Sequence, residues 1–116
     1  MMEISGETYQ INYDVATATI TWQGIFRLQG TSEYAPIVAL LDQAAQENAP
    51  TITLNLTELQ FLNSSGINTL SKFVIKVRNQ GASQIVVYGN HQYSWQTKSL
   101  KNFQRLMPGL TLKIDA

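Results

Sequence analysis

The chain has 116 residues, 44% of them hydrophobic and 14% charged, with a formal net charge of zero. That is enough chain for one self-sufficient core and too apolar for a disordered polymer. Cysteine is absent and His91 is the only histidine, so disulfides, thiol chemistry and cysteine-ligated metal are excluded, and any His-based zinc or Ser–His pair would have to use His91.

The first predicted elements are two alternating runs, Tyr9 to Tyr13 and Ala18 to Gln23, joined by Asp14 to Thr17. They read as a hairpin. Gly24-Ile25-Phe26-Arg27-Leu28-Gln29-Gly30 leads out of it. Thr31 to Asn48 is predicted helical, with Tyr34, Ile37, Val38, Leu41, Ala44 and Ala45 on one stripe and Pro36 in or near its first turn. Asn48-Ala49-Pro50 stops it.

Thr51 to Thr57 is the clearest strand: Ile52, Leu54 and Leu56 point one way, Thr51, Thr53, Asn55 and Thr57 the other. A second helix follows Ser64 or Ser65 and runs to about Gln80, with Ile67, Leu70, Val74 and Val77 inward and Gly81 as its terminator. Gln84 to Tyr88 is a more continuously apolar strand, and Gly89-Asn90 turns out of it. Ser94 to about Arg105 is a third helix with Trp95, Leu100 and Phe103 inward, and Leu110 to Ile114 is a last strand. Alternation of β and α implies parallel strands and crossovers. Strands polar on one face imply helices mainly on the other. The expected fold is therefore α/β, a mixed sheet of about five strands in a single domain, residues 1–116.

Catalytic chemistry finds little to work with. Acids are scattered, Asn63-Ser64-Ser65-Gly66 lacks the lysine and glycine spacing of a phosphate loop, and Ser65-Gly66 lacks the leading Gly-x of a nucleophile elbow. Residues 1–58 carry a net −6 and residues 59–116 a net +6. The basic residues are dispersed and come with no aromatic RNA motif, so they read as solvated helix faces rather than a nucleic-acid site. No membrane span and no signal peptide is legible, so a soluble cytoplasmic protein is expected, with no membrane partner and no cofactor.

The residues that stand out are Asn63, Ser64, Ser65, Gly66 and Ile67, where a strand hands over to a helix. Asn63 is a good helix cap. Serines in a first turn sit near unpaired N–H groups, where an anion is favoured. The string Leu54-Asn55-Leu56-Thr57-Glu58-Leu59-Gln60-Phe61-Leu62-Asn63-Ser64-Ser65-Gly66-Ile67 resembles the signature of the STAS domain of sulfate-transporter cytoplasmic domains and bacterial anti-sigma-factor antagonists. The leading hairpin and the later strand–helix–strand fall in that family's order.

The resemblance implies a non-enzymatic partner switch. In family antagonists the second serine of Asp-Ser-Ser-Gly, which falls on Ser65, is phosphorylated by a serine kinase that is also an anti-sigma factor. The unphosphorylated form binds that kinase, and a serine phosphatase resets the switch. Ser64 is the lesser candidate, and Asn63, Ser64, Ser65, Gly66, Ile67 and Arg27 are the implied partner-binding residues. Two positions depart from the pattern: Asn63 replaces the acid before the serines, and Arg27 stands where an acid often ends the second strand. The rival reading is a STAS-like scaffold or ligand-binding module that holds a partner constitutively. Either is expected as a monomer or weak homodimer.

Overall fold

The computed structural model describes residues 2–115. Six strands form one sheet whose spatial order is also the chain order: β1 (Met2–Ser5), β2 (Tyr9–Asp14), β3 (Thr19–Phe26), β4 (Thr51–Leu62), β5 (Gln84–Asn90) and β6 (Thr111–Asp115). The first three pair antiparallel, and β3 to β6 pair parallel. The crossovers are α1 (Gly30–Gln46), α2 (Ser64–Gln80) and the pair α3 (Ser94–Ser99) and α4 (Lys101–Leu106). Helix α2 packs between α1 and α4, so the helices share one face.

The expected register holds. Ile52, Leu54 and Leu56 are buried, with Ile11, Tyr13, Ile20, Trp22, Ile85 and Val87 beside them. Thr53 and Asn55 remain partly solvated on the open face. The sheet has six strands rather than about five because Met2 to Ser5 also pairs. Four residues on an edge with one neighbour give too short an alternation to be read from sequence.

The main departure lies in β4, which runs twelve residues rather than seven. Its pairing with β3 slips twice. Thr21 faces Asn55 but Gln23 faces Glu58, and Gly24 faces Leu59 but Ile25 faces Phe61. Each slip inserts one residue into β4 and reverses which face the next side chain meets. Leu56, Leu59 and Leu62, three residues apart, are thereby all buried while Glu58 and Gln60 stay exposed. Asn55 stabilises the first slip: its Oδ1 accepts from the Thr57 N–H at 3.1 Å and the Thr57 hydroxyl at 2.8 Å. Opposite, Gly24 adopts φ +92°, and a side chain there would strike the Thr8 carbonyl, which accepts from Ile25 N–H at 2.9 Å.

Helix α1 starts at Gly30, one residue earlier than predicted, and this places Pro36 in its second turn. Leu40 joins the buried stripe, while Val38 is 39% exposed. The third predicted helix is broken at Leu100, where Phe103 N–H bonds back only three residues, to the Leu100 carbonyl at 3.1 Å. Leu100 and Phe103 are buried as expected, but Trp95 is only half-buried, and Gln96 takes the inward position instead.

Candidate functional site at the start of the second helix

Beyond Asn55 the ladder between β4 and β5 ends, at Asn55 opposite Tyr88. The remaining half of β4, which leads to the serines, would otherwise present carbonyls with no strand beside them on the edge away from β3. Side chains replace that strand. Gln96 is fully buried, and its Nε2 donates to the Leu56 carbonyl at 2.7 Å and the Leu59 carbonyl at 2.9 Å. Its Oε1 accepts from Asn90 N–H at 2.7 Å. Asn90 Nδ2 donates to the Thr57 carbonyl at 3.2 Å, and Trp95 Nε1 to the Gln60 carbonyl at 2.8 Å. On that side the bulged half-strand is held by amide and indole groups rather than by a ladder, while β3 pairs its other edge as far as Leu62. Sequence reading missed Gln96, since a glutamine between Trp95 and Thr97 carries no periodic signal of burial.

At the end of β4, Asn63 joins four segments. Its N–H donates to the Phe26 carbonyl at 3.1 Å, which fixes it to β3. Its Oδ1 accepts from Gly66 N–H at 3.0 Å, the expected cap of α2, and from the Tyr34 hydroxyl of α1 at 2.8 Å. Its Nδ2 donates to the Leu28 carbonyl at 2.7 Å in the loop between β3 and α1. The amide meets this need with separate atoms, its oxygen accepting twice and its nitrogen donating once. Aspartate would set a carboxylate oxygen against the Leu28 carbonyl.

Tyr34 is 1% exposed, and burial pushes its hydroxyl pKa up to about 12, so it stays a proton donor to Asn63 at neutral pH. Gly66 lies directly beneath it. A Cβ on Gly66 would sit 2.6 Å from the Tyr34 hydroxyl and would also strike Leu62. The close approach that glycine permits here is therefore between α2 and its own core.

The two serines occupy the first two positions of α2 and differ in setting. Ser64 is exposed; Ser65 is half-buried and lines a depression of about 100 Å³ with Gly30, Thr31, Asn68, Thr69 and Lys72. Ile67 is half-buried against the core. No acid lies in the first turn of α2. Phe26 pairs with Leu62, so Arg27 leaves β3 next to Asn63. Arg27 is exposed, and its guanidinium lies 4.9 Å from the centre of the Phe61 ring. The sequence-predicted residues are thus gathered at one end of the sheet, where the parallel strands terminate. His91 lies beyond β5, in the polar turn before α3. Among the described residues, no group of three or more His, Asp or Glu side chains could hold a metal ion, and no helix is long and apolar enough to cross a membrane.

No family model matches the sequence, and no curated protein matches it. Solved structures do. A chain in the crystal structure of the Pseudomonas aeruginosa diguanylate cyclase SiaD in complex with its activator SiaC superposes with a TM-score of 0.74 at 12% identity, covering 99% of this chain and 100% of that one. Apo-SiaC from the same organism gives 0.73 at 12% identity, with both chains fully covered. The phosphorylated form of SpoIIAA, a Bacillus cell fate determinant, gives 0.55 at 19% identity over 90% of this chain and 89% of that one. At these identities the likeness is one of fold, and the chain has the STAS fold shared by SpoIIAA and SiaC.

Proposed function

We propose that the chain works as a single-domain, non-enzymatic partner switch whose state is set by phosphorylation of Ser65. The observation that carries this reading is the serine pair itself. It is presented at the start of α2 by a rigid frame, Asn63 bonded to β3, the Leu28 loop, Tyr34 and Gly66, with no carboxylate or imidazole lining the depression beside Ser65. A frame of that kind suits a surface to be recognised rather than a reaction to be catalysed. A kinase would form a bond from the γ-phosphorus of ATP to Ser65 Oγ as ADP leaves and the hydroxyl proton is lost. The added −1.5 to −2 charge (approximate, at neutral pH) meets the positive end of α2 and leaves the fold intact. A partner shaped for a neutral serine is repelled.

The partner class follows the resemblance: a serine kinase that also acts as an anti-sigma factor, with a serine phosphatase to reset the switch. The second reading is a constitutive scaffold. It is favoured by the higher TM-scores with SiaC, described as an activator of the diguanylate cyclase SiaD, and by Asn63 and Arg27 standing in place of acids. Under it, a protein partner binds without phosphorylation. Phosphosite mapping after incubation with the host's serine kinases separates the two, together with titration of the captured partner against Ser65→Ala and Ser65→Asp. Phosphate on Ser65 and weaker binding by the Asp form support the switch. Phosphate confined to Ser64, or equal affinity of the two variants, supports the scaffold.

A further inference from the structure

We propose that phosphorylated Ser65 is held in cis by the ammonium of Lys72, in the depression between the starts of α1 and α2. This rests on the reading of Ser65 as the phosphoacceptor and specifies how the modified site is regulated. Ser65, Asn68, Thr69 and Lys72 form one stripe of α2, spaced by three and four residues, and this stripe faces Gly30 and Thr31 of α1. Lys72 lies two turns, about 10 Å, along the helix from Ser65, and helical side chains lean toward the N-terminus, so its stem reaches back toward the serine.

Charge singles out Lys72. It is the one charged residue lining the depression. Among the described residues it has no ion-pair partner, whereas the next lysine on that face, Lys76, is paired with Asp42 of α1 at 2.9 Å. The charged residues at the start of α1 and the end of β3 line a different depression. Glu33 of α1 accepts from Gln29 N–H at 2.7 Å, and Arg27 stacks on Phe61. The Thr69 hydroxyl is also committed, donating to the Ser65 carbonyl at 2.9 Å. The depression, at about 100 Å³, is several times the roughly 10–15 Å³ that one water requires, room for a phosphoryl group.

Lys72 also lines an apolar groove of about 140 Å³ between α1 and α2, with Val38, Leu41 and Phe73. Drawing its ammonium to the phosphate removes the one unpaired charge from that groove. Phosphorylation therefore alters a surface two turns from the modified serine as well as the serine itself.

The test places phosphoserine at position 65 during synthesis of the full chain, so that it does not depend on any kinase, and follows its second ionisation by phosphorus NMR. The free group titrates at about 6. In the otherwise unaltered chain the value should lie below that of the Lys72→Met variant by about half a unit, the size suited to a partly exposed ion pair. Lys72→Arg should restore the lower value. Phosphoserine at position 64, on the exposed side, should ignore both substitutions. An ionisation at position 65 that is unchanged by Lys72→Met, or one shifted equally at positions 64 and 65, overturns the proposal. Failure here leaves the kinase and partner tests of Ser65 standing, because those read modification and binding rather than the cis pair.

Discussion

Replacing Asn63 separates its three side-chain hydrogen bonds. In Asn63→Ala all three are lost. Loss of the cap of α2 costs about 1 kcal/mol. The Tyr34 hydroxyl, 1% exposed, is left without its acceptor, which adds about 1–3 kcal/mol. Water reaches the half-exposed Leu28 and repairs its carbonyl. The sum is about 2–4 kcal/mol, well above the cost of a cap alone. In Asn63→Asp both accepted bonds survive, and a negative charge at a helix start gains about 0.3–1 kcal/mol. Against this, the donor to the Leu28 carbonyl is lost and two oxygens face each other across a contact that was 2.7 Å, costing about 1–2 kcal/mol. The expected order of stability is wild type, then Asp lower by about 1 kcal/mol, then Ala. Urea melts with matched m-values measure it, and thermal melts should show roughly 4 °C per kcal/mol for a chain of this length. An Asp variant at least as stable as wild type would refute the reasoning, because the Leu28 bond could then not be why the chain carries an amide there.

Gln96→Leu keeps the buried volume but orphans the Leu56 and Leu59 carbonyls and the Asn90 N–H; a loss of about 3 kcal/mol and faster amide exchange through residues 56–62 are expected, and unchanged exchange there would show that Gln96 does not hold the half-strand. Gly66→Ala should cost about 1–3 kcal/mol by pressing on Leu62 and Tyr34, and a calorimetric Tm equal to wild type would contradict the close packing. Tyr34→Phe tests the raised hydroxyl pKa. The native state holds that proton more tightly than the unfolded state, so Tyr34's contribution is fully present below about pH 10, where an ordinary tyrosine ionises, and is lost as pH rises toward about 12. The stability gap between wild type and Tyr34→Phe should narrow over that window in urea melts, and a constant gap would refute the shift.

Local pattern was enough for most of the architecture. The alternation of Ile52, Leu54 and Leu56 with Thr51, Thr53 and Asn55 determines which face of β4 is buried, because period-two burial is a property of the strand alone. Asn63 before the first turn and Gly81 after the last, at φ +70°, bound α2 for equally local reasons. The serine pair sits at that boundary for the same local reasons. Tertiary structure decided the rest. The two slips in β4 that bury Leu59 and Leu62 exist only against β3, with Gly24 and Thr8 making room. Gln96 becomes a core residue only because β5 diverges from β4 and leaves carbonyls to be satisfied. The Asn63 amide does more than cap a helix because the Leu28 carbonyl and the Tyr34 hydroxyl, 35 and 29 residues away in sequence, converge on it. Each of these depends on groups brought together by the sheet, and no window of neighbouring residues contains them.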